Sequence, residues 1–282
     1  MNDLILVFLI IFIIVRVIGL AVSLDFYYDT RKNKFKIFSI GWALWIIAAI
    51  MPIYSTLVKD AFLVDLLLVL NVLFFSLGAL FYGWGIYKYF LTVPVKIIES
   101  LIIITIAATI LFWLIIGKSA VLIFLAIFIY ALLISTYIIP PFKKENFKKF
   151  IGKSIRWYFT PIFIMLTYIP VSIVIYLHGY GFGLYSSNDV VLIILNYIPT
   201  IGATFLMIVL LVHLEYNISS REKFDLKDKY SHELGNIMQA IFTSYDLIKA
   251  KREPTQEVAE LEALLETKLD EASALIKQIR KL

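Results

Sequence analysis

Seven long apolar segments dominate the first 214 residues and restrict what this chain can fold into. A hydrocarbon core about 30 Å thick is crossed by ~20 residues of apolar helix, and helices satisfy their own backbone groups in lipid. Segments of that length occupy residues 4–24, 37–57, 62–87, 97–116, 119–139, 158–177 and 190–214. The pattern therefore predicts an all-α fold that begins with a seven-transmembrane helix bundle.

The distribution of charged residues divides the chain near residue 214. Residues 1–214 hold 15 Lys and Arg against 8 Asp and Glu, whereas residues 215–282 hold 11 against 13. We therefore predict a transmembrane domain over 1–214 and a separate, highly charged domain over 215–282. The excess positive charge belongs to the membrane part, so nucleic acid is not an expected partner. The chain has no cysteine, which excludes disulfides and thiolate chemistry.

The loop charges predict the orientation in the membrane. The loops after the first, third and fifth segments contain 12 Lys and Arg, whereas the alternate loops contain 2. By the positive-inside rule, the N-terminus lies outside and residues 215–282 lie in the cytoplasm. The lack of cysteine and the wealth of Ile and Lys favour a prokaryotic cell membrane. We therefore expect a multi-pass protein of the plasma membrane, embedded in its lipid bilayer.

Few ionisable side chains fall inside the apolar segments, and each is a candidate for function because its burial in lipid is costly. Arg16 either extends toward the headgroups or pairs with a polar group such as Asn71 or Asn196. Asp65 is expected at the outer interface, and Pro199 is a candidate hinge. No segment interior contains a lysine, which excludes a retinal Schiff base.

Two apolar stripes with a helical period follow in the tail. The first comprises Tyr230, Leu234, Ile237, Ile241, Tyr245 and Ile248, and the second comprises Val258, Leu261, Leu265, Leu269, Ala272, Ile276 and Ile279. Pro254 breaks the helix between them and Thr255 is a suitable N-cap, so the tail is predicted to be an antiparallel helical hairpin. Two helices bury both stripes poorly, which predicts a homodimer through residues 220–282 that forms a four-helix bundle. A docked partner protein would serve the same need.

The segment that opens the first tail helix contains the histidine of most interest. His232 lies about 200° around the helix from Tyr230 and from Leu234, so it should face solvent together with Asn236. Glu233 can accept a hydrogen bond from the imidazole, which makes the other ring nitrogen more basic. Asn236 can orient a water molecule or a phosphoryl oxygen. This set of groups suits phosphoryl transfer.

The sequence SHELGNIMQAI, residues 231–241, resembles the phosphoacceptor box of sensor histidine kinases. The resemblance covers the region from about residue 220 to 282, and it departs from the commonest box by Ile237 in place of proline. It implies that His232 is the phosphoacceptor, Glu233 its acid/base neighbour, and Asn236 the group that assists dephosphorylation of a response regulator. The implied function is two-component signal transduction, with that regulator as the partner.

Nucleotide motifs are missing from this sequence: neither an Asp-x-Gly-x-Gly motif nor a P-loop occurs. We therefore expect no cofactor in the chain itself, with ATP and Mg²⁺ supplied only through a missing or separate kinase catalytic domain. The chain is then either the front of a longer kinase or a phosphotransfer subunit, so enzyme activity of its own stays an open question. No metal site is expected, because Asn236 replaces the second histidine of a His-Glu-x-x-His site.

Two other functions compete with the sensor. The first is a non-catalytic membrane receptor or scaffold, whose coiled-coil hairpin docks a partner protein. The second is a transporter, for which paired intramembrane charges and repeated broken helices would be typical. The sequence shows few such charges and no clear internal repeat.

Overall fold

The architecture is helical throughout the part of the chain that the structure, a computed structural model, describes: residues 3–142, 147–148, 151, 155–164, 166, 189–249 and 256–281. The α-helices are α1 (Asp3–Thr30), α2 (Asn33–Ser55), α3 (Ala61–Phe90), α4 (Val95–Ile115), α5 (Lys118–Ile138), α6 (Val190–Lys249) and α7 (Gln256–Lys281). A short 3₁₀ helix at Pro140–Phe142 follows α5, and residues 155–164 are also helical. The prediction of an all-α fold is confirmed for these ranges.

Six of the described helices are long and apolar enough to cross a membrane. They are α1 to α4, the stretch Lys118–Phe142 that contains α5, and the apolar part of α6. The predicted segment 158–177 falls mostly outside the described residues. The count of seven spans therefore stays a prediction, whereas the membrane character of the chain is supported by these six helices.

The helix ends follow local capping chemistry. Asp60 precedes α3, and its side chain accepts a hydrogen bond from the Leu63 backbone N–H at 2.9 Å. Asp189 does the same before α6, where Oδ1 accepts from the Val191 N–H at 2.9 Å. Such caps satisfy backbone donors that the first helical turn leaves unpaired. Gly117 links α4 to α5 with a φ of 103°, a conformation that favours glycine.

Close packing of α2 against α3 depends on glycine and aromatic residues. Trp45 stacks on Tyr82 with ring centroids 5.5 Å apart, and its indole N–H donates to the Phe75 carbonyl at 2.9 Å. A Cβ atom on Gly85 would lie only 2.7 Å from the ring of Phe38, which is fully buried. Small residues let helix backbones approach in a membrane, so glycine here allows large rings to fill the interface.

The chain divides into two compact units, Met1–Glu215 and Tyr216–Leu282. Helix α6 is continuous from Val190 to Lys249 and so contributes to both. In the second unit, α6 is followed by α7, a helix of 26 residues. Pro254 and Thr255, the predicted break and cap, lie outside the described residues. The two tail helices exist as predicted, while their antiparallel pairing stays a prediction.

Candidate functional site

His232 lies on α6 in the second unit, and its side chain is exposed. Asn236 is one turn further along the helix and is also exposed. Side chains four residues apart lie on the same helix face, so the imidazole and the amide point to the same side. Gln239 and Thr243 continue this exposed polar face. The structure thus places two of the three predicted site residues together on an accessible surface.

Glu233 is exposed as well, but its described ion pair is with Lys229. Its Oε1 atom lies 3.8 Å from the Lys229 ammonium nitrogen, one helical turn away. Adjacent residues on a helix point about 100° apart, so Glu233 does not share the face of His232. The exposed Lys229 pair is weak. Contact between Glu233 and the imidazole therefore requires the carboxylate to turn away from Lys229, and its acid/base role stays a prediction.

The covered face of this part of α6 is displaced by one position along the chain from most of the predicted stripe, for example at Ser231 instead of Tyr230. Ser231 and Tyr245 are buried, and Gly235, Met238 and Phe242 between them are half-buried. These positions repeat at intervals of four, three, four and three residues, which is a helical face. The prediction used apolar side chains alone and missed that Ser231 and Gly235 are small enough to lie under a packed neighbour.

Several residues of the predicted first stripe are exposed instead. Tyr230, Leu234 and Ile241 are 54%, 40% and 42% exposed, whereas Tyr245 is buried as expected. The covered face and this exposed apolar stripe adjoin, and together they span roughly 140° of the helix. His232 lies on the opposite side of the helix from this broad surface. Its predicted solvent position is confirmed.

Only some side chains of the predicted second stripe belong to the described residues. On α7, Leu269 is buried and Ala272 is half-buried, while Leu265 is 40% exposed. The side chains of Val258, Leu261, Ile276 and Ile279 lie outside the described set. An exposed ion pair joins Lys268 to Glu271 at 2.7 Å on the polar side. Leu269 and Ala272 therefore mark the covered face of α7.

Metal binding was not expected at this site. Among the residues that the structure describes, no group of three or more His, Asp or Glu side chains is arranged to hold a metal ion.

A buried ion-pair cluster at the end of the first unit was missed from the sequence. The carboxylate of Glu215 accepts from the Lys34 ammonium at 2.7 Å and from the Lys32 ammonium at 3.1 Å. Its side chain is 3% exposed, and the Tyr89 hydroxyl donates to it at 3.4 Å. In the sequence, Lys32 and Lys34 stand out only as loop charges. The one sequence feature that indicates such a cluster is Glu215 itself, which is the first carboxylate after the long apolar segment 190–214.

The intramembrane charges also find partners. Arg16 is 2% exposed and donates a hydrogen bond to the Trp45 carbonyl, so extension toward the headgroups is wrong. The alternative, a polar neighbourhood within the bundle, agrees with a cavity that Arg16 lines together with Asn71 and Asn196. Asp65 forms an ion pair with Lys118 and its side chain stays partly exposed, so its position at the outer interface stays a prediction.

No protein-family model, no curated protein and no solved structure matches this chain.

Proposed function

We propose that this chain is a membrane sensor of a two-component pathway, in which His232 accepts a phosphoryl group and passes it to a response regulator. One observation supports this most directly: His232 and Asn236 stand exposed on one polar face, opposite a broad apolar surface of the same helix. A phosphoacceptor must reach two different proteins in turn, so it needs such an accessible face. The resemblance of residues 231–241 to the phosphoacceptor box supplies the chemistry.

The proposed reaction uses the neutral imidazole as nucleophile. A ring nitrogen of His232 attacks the γ-phosphorus of ATP, a nitrogen–phosphorus bond forms, and ADP leaves. Glu233 stabilises the positive charge that develops on the ring by accepting a hydrogen bond from the other nitrogen. A regulator carboxylate then attacks the phosphorus, and the nitrogen–phosphorus bond breaks. Asn236 orients water for later hydrolysis of the acyl phosphate on the regulator.

ATP and Mg²⁺ enter this scheme with a kinase catalytic domain, whether it belongs to a longer form of this protein or to a separate one. The residues of this chain contribute the nucleophile and its neighbours. In our proposal residues 215–282 lie in the cytoplasm of a prokaryotic cell, with the N-terminus outside. A stimulus alters the packing of the membrane helices, and α6 carries the change to His232. A free-energy difference of a few kcal/mol between two packings suffices for such a switch.

We further propose that residues 220–282 form a hairpin that pairs with a second copy in a four-helix bundle. The exposed apolar residues Tyr230, Leu234 and Ile241 support this pairing. Burial of apolar surface is the main driving force of association, and these side chains line one edge of α6. Pairing on that edge leaves His232 accessible on the opposite side.

Phosphotransfer to the purified full chain in lipid nanodiscs tests the proposed function. Radiolabelled, phosphorylated response regulators from the same genome are mixed with the protein, and a kinase catalytic domain with ATP is used in parallel. We expect acid-labile, base-stable label that His232→Gln abolishes. The matched controls are His178→Gln and His213→Gln, which replace the other two histidines and should keep the label. Label that survives His232→Gln would refute the proposal.

The exposed apolar edge of α6 also favours a second function, a non-catalytic receptor or scaffold that docks a partner protein. This alternative predicts that His232, Glu233 and Asn236 can all be replaced without loss of signalling. It also predicts that Leu234→Asp, which places a charge on the apolar edge, abolishes signalling. Signalling by the triple variant in cells therefore separates the two functions.

A further inference from the structure

A cavity of about 160 Å³ lies inside the first unit, between α1, α2, α3, α5 and α6. Helix α6 contributes more of the described wall than any other helix, including Pro199, Ala203 and Met207. The cavity contains none of the residues proposed for phosphotransfer. It is therefore a feature of the membrane part that the proposed reaction does not use.

Apolar side chains make up most of the cavity wall. They include Phe12 on α1, Phe75 on α3, Leu133 on α5 and Met207 on α6. Small-molecule sites are typically hollows with such walls and a few polar groups. Apolar cavities of this size also stay free of water and take up apolar molecules. The wall therefore favours an apolar ligand.

The two most polar side chains at the α1 and α3 sides of the cavity already bind other parts of the protein. Arg16 donates a hydrogen bond to the Trp45 carbonyl, and its guanidinium carbon lies 3.8 Å from the centre of the Phe12 ring. The Asn71 amide donates to the Ala48 carbonyl at 2.5 Å. These contacts hold both polar groups against α1 and α2, so neither group depends on a ligand for its interactions.

The polar groups of α5 and α6 in the wall are engaged in the same way. The Thr200 hydroxyl donates to the Asn196 carbonyl at 2.7 Å, and the Thr204 hydroxyl donates to the Thr200 carbonyl at 2.8 Å. Asn196, Tyr130 and Tyr197 each have an interaction within the protein as well. The protein itself therefore supplies the interactions that a polar ligand would otherwise bring.

We infer that this cavity is a binding site for one small, neutral, apolar molecule about the size of benzene. The size follows from the volume, because a cavity of about 150 Å³ takes up benzene. The neutral charge follows from the walls, because mostly apolar side chains do not replace the hydration that an ion loses. A molecule of this kind leaves water for lipid spontaneously, and so it reaches the membrane helices without a water-filled entrance.

The bound molecule contacts α6 at its internal proline. Pro199 lines the cavity and lies inside the continuous helix Val190–Lys249. Proline has no backbone N–H to donate to the carbonyl four residues earlier, so the helix is less constrained at this point. A ligand beside Pro199 thus favours one packing of the helix that continues to His232. This link to signalling rests on the proposed function, whereas binding of the molecule does not.

Binding of benzene to the full chain in nanodiscs tests the inference without a signalling assay. The methionine methyl groups are labelled with ¹³C, and Met207→Leu identifies the resonance of Met207, which is buried in the cavity wall. We expect benzene to shift this resonance saturably, because the bound ring lies beside the methyl group. Met51, on α2 and outside the described wall, reports on benzene dissolved in the lipid. No saturable shift at Met207, or the same concentration dependence at both methionines, would overturn the inference.

Two charged analogues of similar shape test the class of ligand. Benzoate and benzylammonium should bind at least about tenfold more weakly than benzene, because the wall replaces little of the hydration of a charged group. The shift of the Met207 resonance measures all three affinities. A charged analogue that binds as tightly as benzene would contradict the assignment to neutral molecules.

Two cavity-filling variants locate the bound molecule. Ala203→Leu on α6 and Ala49→Leu on α2 place a larger side chain in the cavity, since both alanines are buried in its wall, and each should abolish the Met207 shift. Ala107→Leu makes the same change at an exposed position of α4 and should keep the shift. A shift that persists in a folded cavity-filling variant would contradict the site, and the charged analogues decide if neither variant folds. His232→Gln should bind benzene as wild type does, which separates failure of this inference from failure of phosphotransfer.

Discussion

At the scale of single residues, Glu215 shows how a membrane protein holds a charge at the end of an apolar helix. Its carboxylate is almost fully buried between Lys32 and Lys34, at the start of α2. Lysines in a first helical turn oppose the helix dipole, and the carboxylate offsets that cost. The Lys34 ammonium also lies 3.7 Å from the centre of the Tyr89 ring. The cluster therefore links α2 and α3 to the last residue of the first unit.

Neutralising Glu215 should destabilise the first unit. Glu215→Gln leaves two lysines close together without their carboxylate, and we expect a loss of about 3 kcal/mol in the free energy of unfolding. Lys118→Gln, which breaks the more exposed pair with Asp65, should cost less than about 1 kcal/mol. Unfolding in mixed micelles measures both. In a double-mutant cycle, Glu215→Gln with Lys34→Met should cost less than the sum of the two single changes. Additive costs would show that the pair contributes nothing.

Asn236 offers a second test at this scale, which depends on the proposed function. Asn236→Ala should leave phosphorylation of His232 intact but lengthen the lifetime of the acyl phosphate on the regulator. The physical reason is that the amide orients the attacking water, and positioning of this kind changes rates by large factors. Thr243→Ala, on the same exposed face about three turns from His232, is the matched control. If the lifetime of the acyl phosphate is unchanged in Asn236→Ala, Asn236 does not take part in dephosphorylation.

At the scale of helices, the packing of α3 depends on the lack of a side chain at particular positions. Gly85→Ala places a Cβ atom 2.7 Å from the buried Phe38 ring and should lower the free energy of unfolding by about 1–3 kcal/mol. Gly202→Ala is the matched control, because no atom of the described residues lies within 4 Å of where its Cβ would be. That change should be neutral or stabilising by up to about 1 kcal/mol, through helix propensity. Equal effects at both positions would show that the close approach is not needed.

The apolar edge of α6 predicts how the tail associates. Leu234→Asp should convert a dimer of the full chain into a monomer, because a charge on this edge must be buried on pairing. Gln239→Asp places the same charge on the opposite polar face and should leave the dimer intact. Light scattering of the protein in detergent, corrected for bound detergent, measures both. A dimer that persists in Leu234→Asp would show that the interface does not lie on this edge of α6.

At the scale of the whole molecule, the sequence predicted which segments are helical far better than which side chains of different helices are in contact. Lipid thickness sets the minimum length of a spanning segment, so the positions of the apolar helices could be predicted. Their ends depend on local caps such as Asp60 and Asp189. The exposed position of His232 followed from helical period alone. The surroundings of Arg16 and the pairing of Glu215 depend on residues far apart in the chain, which periodicity does not encode. The covered face of α6 lies one position away from the predicted stripe because it includes Ser231 and Gly235, whose small side chains allow close packing. A hydropathy pattern contains no information on side-chain size.

The orientation of the whole chain in the membrane leads to a direct prediction. The chain has no cysteine, so single cysteines can be introduced without removing native ones. Ser186→Cys, in the predicted outer loop, should react in intact cells with a maleimide that does not cross membranes. Thr243→Cys, near His232 on the exposed face of α6, should react only after the cells are permeabilised. The reason is the excess of Lys and Arg in alternate loops, which holds those loops in the cytoplasm.

The same labelling distinguishes seven spans from six. An odd number of spans places the N-terminus and residue 243 on opposite sides, whereas an even number places them on the same side. Asn2→Cys should therefore label in intact cells, in contrast to Thr243→Cys. Equal labelling of both positions would mean that segment 158–177 does not cross the bilayer. Labelling of Thr243→Cys from outside would place His232 away from ATP and from any cytoplasmic regulator, and phosphotransfer at that residue would then be impossible.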